Sequence, residues 1–218
     1  MTEYHGNYNS IFGFRAQTNF FILWRAPMED ANRLRIVRAA HDLFNTRGYK
    51  NTTVNDLADR LGMSKKTIYQ YFNGKEEIAA AVVDNAFFQI SDTIESVESQ
   101  QADPLYLLQM ALTQIRDHIV RLGPFFIEDL DKYLPDLWSR IELYRAEKIR
   151  FVERLIRRAQ EDGLITNVDP RIVMVIFLET VQALVKPEAL RKHGLPLADL
   201  LDTLIVIFCS GLQETKKG

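Results

Sequence analysis

Cysteine occurs once among the 218 residues, at Cys209, so the chain forms no internal disulfide and offers no thiolate cluster for zinc. The four histidines, His5, His41, His118 and His193, are scattered and make no metal-binding spacing. No glycine-rich loop is present to cradle a phosphate, and no nucleophile elbow follows a strand. Carboxylate pairs such as Glu128-Asp129 and Glu161-Asp162 read as exposed helix faces. Enzyme chemistry therefore lacks its parts, and no cofactor or metal is implied. Residues 20–24, Phe-Phe-Ile-Leu-Trp, are too few to span a bilayer and lack the basic start and cleavage site of a secretory signal. The cytoplasm is the expected location. Alternating strand patterns are missing as well, while prolines and glycines fall where helices would end, so the chain reads as all α.

What is present is concentrated between residues 48 and 78. Thr53 is placed to cap a helix over residues 54–61, with Asp56 near its positive end. Val54, Leu57, Ala58 and Leu61 form one apolar face of that helix. Gly62 suits a left-handed stop, and Ser64 caps a second helix from which Ile68 and Phe72 turn inward. Lysines, hydroxyls, an amide and phenols are left outside. This is the pattern of a helix-turn-helix whose second helix enters a DNA groove.

These residues carry a family resemblance. Residues 36–49, ending in Gly48-Tyr49, resemble the first helix of TetR-family transcriptional regulators and its glycine-aromatic stop. Thr52-Thr53-Val54, Leu57-Ala58, Gly62-Met63-Ser64, Ile68-Tyr69, Tyr71-Phe72 and Lys75-Glu76-Glu77-Ile78 match the family pattern in order and spacing. The match covers roughly residues 33–80. Lys66 departs from it, because a small residue, often glycine, is common there; the departure bears on base preference and not on the fold. The resemblance implies that Thr52, Thr53, Tyr69, Tyr71 and Lys75 hold phosphates. Lys65, Lys66, Thr67 and Gln70 are then the base readers, with Ser64 capping their helix. Lys75→Ala is expected to weaken binding to all sequences alike and to flatten its salt dependence.

Charge agrees with a DNA-binding head. The chain as a whole has a formal net charge of -2. Residues 28–75 hold nine basic and five acidic side chains, whereas from residue 76 onward sixteen basic face twenty-three acidic. The expected organisation is a non-family extension over residues 1–27, a helix-turn-helix domain over 28–80, and a helical effector-binding and dimerisation domain over 81–218. The extension holds three charged side chains and seven aromatics, and Met28 reads as the native start or the extension as a loosely held arm.

In the body, helices are expected over residues 76–97, 105–122, 126–133, 136–162, 170–185 and 196–212. The last two are apolar nearly all round, which requires burial on both sides. Val173, Ile176, Phe177 and Leu184 are assigned to one side of the first, and Val175, Leu178, Val181 and Val185 to the other. The resemblance implies a homodimer formed through these two helices, and a small-molecule effector between the body's helices that opposes binding to a palindromic operator. Met110, Phe125, Phe126, Tyr133, Trp138, Tyr144, Phe151 and Phe177 are the candidate lining, with His118, Arg121, Glu142 and Arg145 as the polar candidates for orienting a ligand. The main reading is a repressor; the alternatives are a helical small-molecule-binding protein whose head does not read DNA, and an enzyme using the body pocket.

Overall fold

The computed structural model describes residues 30–213, so the expectation for residues 1–27 lies outside the described part. Ten helices follow one another: α1 (Ala31–Arg47), α2 (Val54–Leu61), α3 (Lys65–Tyr69), α4 (Lys75–Glu98), α5 (Pro104–Leu122), α6 (Pro124–Tyr133), α7 (Pro135–Glu161), α8 (Pro170–Leu184), α9 (Pro187–His193) and α10 (Leu197–Leu212). Their starts follow from local chemistry. Asp30, Thr53, Ser64, Asp103 and Asp169 each accept a backbone N–H of the first turn, satisfying a donor that has no partner inside the helix. Proline opens α5, α6, α7, α8 and α9, where its missing N–H costs nothing. Among the described residues the only extended pairing is the isolated bridge of Ile165 with Gln213.

Two apolar clusters organise the chain. The first joins α1, α2, α3 and the beginning of α4 through Ile36, Leu43, Phe44, Leu57, Ile68, Phe72, Ile78 and Val82. It also takes in Phe126 and Leu130 of α6 and Leu137 of α7. The second joins the end of α4 to α5, α7, α8 and α10 through Val97, Leu107, Leu108, Phe151, Ile156, Phe177, Ile205 and Cys209. Helix α4, about 36 Å long at 1.5 Å per residue, contributes Ile78, Val82 and Phe87 to the first cluster and Ile94 and Val97 to the second.

Two expectations change. Helix α9 has no counterpart in the sequence reading; it is a short turn of helix capped by Gly194 and anchored through Pro187, Leu190 and their neighbours. On α8 the division of faces differs. Ile176, assigned to the side of Val173 and Phe177, instead points outward beside Ile172 and Val175, while Met174 turns inward. A helix apolar on every side has no periodic signal, so packing sets its rotation.

Candidate nucleic-acid interface

The interface begins with the way α2 is fixed. Thr53 Oγ1 accepts the Asp56 N–H at 3.2 Å, and Asp56 Oδ2 accepts the Thr53 N–H at 2.7 Å and its hydroxyl at 2.6 Å. This reciprocal box satisfies two orphan donors of the helix start. The Thr53 hydroxyl, with its N–H, holds the Asp56 carboxyl below the usual carboxylate range. At the other end Gly62 adopts φ 62° and ψ 31°, and the Met63 N–H returns to the Ala58 carbonyl at 3.0 Å. The chain is thereby turned into Ser64, whose hydroxyl accepts the Thr67 N–H at 3.0 Å and lies 2.9 Å from the Thr67 hydroxyl. Ile68 and Phe72 are buried beneath, with the Arg33 guanidinium 4.7 Å from the Phe72 ring centre.

Above this foundation Lys65, Lys66, Tyr69 and Gln70 are exposed, as is Thr53. Tyr69 is 51% accessible, unusual for so large a ring. Ser64 is exposed but committed to the cap, and Thr67 is half-buried against it. Tyr71 is half-buried, and its phenol oxygen accepts the Asn32 amide at 3.3 Å, tying the end of the turn after α3 to α1. Ion pairs Arg60–Asp42 at 2.7 Å and Arg47–Asp56 at 3.7 Å add α1–α2 links.

Two members of the expected contact set have other duties. Thr52 is fully buried, and its hydroxyl donates to the Gly48 carbonyl at 2.8 Å, so it is out of reach of a phosphate. Lys75 Nζ donates to the carbonyls of Tyr49 and Thr52, both at 2.8 Å, and sits 4.0 Å from the Tyr49 ring centre. Burial lowers its pKa, opposed by Asp129 and Asp56. Lys75 therefore acts as a strut under the loop between α1 and α2. A basic side chain at a helix start looks the same in sequence whether it faces a phosphate or its own backbone.

Comparison with known proteins bears directly on this arrangement. Residues 36–82 match the family of bacterial regulatory proteins, tetR family. That segment holds α2, α3 and most of α1, the unit just described. Residues 36–82 belong to the TetR family of bacterial regulatory proteins. It is 23% identical to the uncharacterized HTH-type transcriptional regulator YvaF of Bacillus subtilis over 84% of this chain and 97% of that protein. It is 32% identical to the HTH-type transcriptional regulator TtgR of Pseudomonas putida over 44% of this chain and 47% of that regulator. Among solved structures, the ketosteroid transcriptional regulator KstR2 of Mycobacterium tuberculosis superposes with a TM-score of 0.65 at 20% identity, covering 85% of this chain and 97% of that one. SmeT, the repressor of the Stenotrophomonas maltophilia multidrug efflux pump SmeDEF, gives 0.65 at 21% identity, covering 86% and 93%. The shared all-α architecture thus extends well beyond the DNA-binding unit.

The residues expected to line one effector pocket are distributed over several places. Phe126 is fully buried and stacks on Phe44 of α1, with ring centres 4.9 Å apart. Trp138 and Tyr144 pack against the same first cluster, and Tyr144 stacks on Phe87 at 3.9 Å. Phe177 and Met110 belong to the second cluster, Phe177 lying 4.5 Å from Phe208. Phe125 and Tyr133 line a surface cleft of about 250 Å³ between α6 and the loop after α1. Another cleft, of about 470 Å³, lies at the junction of α7 and α8 and contains none of them. Composition cannot separate core aromatics from lining aromatics, which is why the set disperses.

A polar seam does run between α4, α5 and α7. The Ser91 and Tyr144 hydroxyls are 2.9 Å apart, and the Tyr144 hydroxyl donates to the Phe87 carbonyl at 2.8 Å. Burial pushes the Tyr144 phenol up to about 12. His118 Nε2 lies 3.2 Å from the Thr93 hydroxyl, while its buried Nδ1 has no hydrogen-bond partner among the described residues. Burial, followed by the nearby Arg121, lowers the imidazole pKa and favours the neutral ring.

The sequence reading missed one connection. Asp129, read as part of an exposed helix face, has Oδ2 accepting the Lys50 N–H at 2.7 Å. A side chain at Gly48, where φ is 79°, would put its Cβ 2.6 Å from that oxygen. Lys50 Nζ also lies 5.2 Å from the Tyr133 ring centre. Helix α6 is thus locked to the loop that leads into α2. Seventy-nine residues separate Lys50 from Asp129, so no local pattern announces the pair.

Proposed function

We propose that this protein is a homodimeric repressor that binds a palindromic operator and is released from it by a small-molecule effector. The observation that carries the reading is the solvent face of α3. Lys65, Lys66 and Tyr69, with Gln70 at the C-cap, stand exposed on a helix whose caps, turn and buried side are all fixed by contacts within the head. Tyr69 is the phosphate-holding member of the set, with Thr53, whose two donors are spent on Asp56, and Ser64, Thr67 and Tyr71 setting the pose of the helices.

The dimer is supported by Ile172, Val175 and Ile176 of α8 and Val206 and Ile207 of α10, each more than half exposed on two helices that touch one another. An apolar strip of this kind calls for a partner, and a two-fold copy of itself would place two α3 helices on two half-sites. The effector is assigned to the seam between α4, α5 and α7, where His118 and Tyr144 would orient a mostly apolar molecule. Repression follows from occupancy alone, and SmeT is a repressor by its description. The protein would work in the cytoplasm without catalysis. The organisation proposed is a head over residues 28–80 and an effector and dimer body over residues 81–218.

The test is selection of binding sites from a randomised duplex pool by the purified protein at moderate salt. A palindromic motif is expected. Weak binding with no motif, vanishing as salt rises, would overturn the reading and leave a helical ligand-binding protein in its place.

A further inference from the structure

Around α3 and the turn that continues it, in which the Phe72 N–H returns to the Ile68 carbonyl at 3.1 Å, successive residues turn by about 100°. Ile68 and Phe72 are buried and define the inward direction. Lys66 and Gln70, four residues apart, fall on the opposite side and form the crest of the helix. Lys65 and Tyr69 share one flank. Thr67 and Tyr71 share the other, and both are occupied: the Thr67 hydroxyl with Ser64, the Tyr71 phenol with Asn32. Neither the Lys66 ammonium nor the Gln70 amide has a hydrogen bond or ion pair among the described residues, and both residues are exposed. The two side chains on the side opposite the buried pair are therefore one pure donor and one donor–acceptor amide.

Major-groove edges distinguish these chemistries. Guanine presents two acceptors, N7 and O6, which suit an ammonium; adenine presents an acceptor beside a donor, which suits a carboxamide. Four residues of helix rise about 6 Å, against about 3.4 Å per base pair. We propose that Lys66 and Gln70 are the base-reading pair of this protein, and that each operator half-site carries a guanine met by Lys66 and an adenine met by Gln70 within two base pairs of each other. The inference rests on the DNA-binding reading above and adds the base identities and the residues that select them.

The test compares motifs selected from a randomised duplex pool by the full chain, by Lys66→Ala and by Gln70→Ala, with thermal unfolding showing that all three remain folded. Wild type is expected to return half-sites holding both bases. Lys66→Ala should lose preference at the guanine alone, by about tenfold or more in relative affinity, and Lys66→Arg should retain it. Gln70→Ala should lose preference at the adenine alone. The inference is overturned if Lys66→Ala weakens every sequence equally and leaves the motif intact, which would make Lys66 a phosphate contact. A wild-type motif lacking either base also overturns it. Failure of wild type to return any motif would be a different result, removing the sequence-reading function itself.

Discussion

At the scale of single residues, identical side-chain chemistry serves opposite ends depending on what lies within 3 Å. Lys75 places its ammonium on two backbone carbonyls and against a tyrosine ring, whereas Lys66 reaches solvent. Replacing Lys75 with Met should lower unfolding stability by about 1–3 kcal/mol, read as a reduced urea midpoint. In DNA-binding titrations run below that midpoint, the salt slope should stay close to wild type. A slope reduced by about one unit with unchanged stability would restore Lys75 to phosphate binding. Cys209 gives a second residue-scale expectation. It is 4% exposed in α10, and burial pushes its thiol up to about 11. At pH 8 only about one thiol in a thousand is then ionised, and the thiolate is the nucleophile. Folded protein should resist iodoacetamide at pH 8 and react once urea unfolds it; its reactivity should rise with pH toward 11. Prompt alkylation of the folded chain at pH 8 would show that the thiol is not held as described.

At the scale of elements, the helix-turn-helix was legible because its signals are local. A capping threonine with an aspartate three residues on, a glycine that must turn left-handed, and a capping serine all act within a few residues, and α2 falls at Val54–Leu61 as the spacing requires. Helices α5 to α8 begin at prolines and were equally readable, whereas α9, which also begins at one, was not. What was not legible is which turns also bear long-range contacts. Gly62 and Gly48 both have positive φ, but a Cβ at Gly62 meets nothing within 4 Å, while at Gly48 it meets the Asp129 carboxylate. Gly62→Ala should therefore cost about 1–2 kcal/mol from backbone strain alone. Gly48→Ala should cost more, because φ 79° with ψ 164° is a region essentially reserved for glycine and because the new Cβ also pushes Asp129 off the Lys50 N–H. Paired urea unfolding curves would decide this, and equal losses would mean that the α6 contact contributes nothing to holding the loop.

At the scale of the whole molecule, the decisive surface is the strip over α8 and α10. Sequence showed two helices too apolar for a single buried side, and the structure divides them into an inner row, Val173, Met174, Phe177, Ile205 and Cys209, and an outer row, Ile172, Val175, Ile176, Val206 and Ile207. Exchanging Val175 and Ile207 together for Glu should leave a folded monomer, since both are more than half exposed. Light scattering would report the mass, and operator affinity should fall about a hundredfold or more as the two heads lose their shared attachment. A dimer that survives the double exchange would place the twin interface elsewhere.

The sequence by itself determined the all-α class, the capped helix-turn-helix with its exposed side chains on α3, and the family to which residues 36–82 belong. Each of these depends on interactions within a turn or two of helix, which spacing records. Tertiary structure alone decided that Thr52 and Lys75 face inward, that the candidate aromatics divide between two cores and a surface cleft, and that Asp129 locks α6 to the loop before α2. Apart from the Thr52 hydroxyl, which bonds to a carbonyl four residues back, those outcomes depend on segments tens of residues apart meeting in space. An apolar or charged residue type is compatible with either side of such a meeting until packing chooses one.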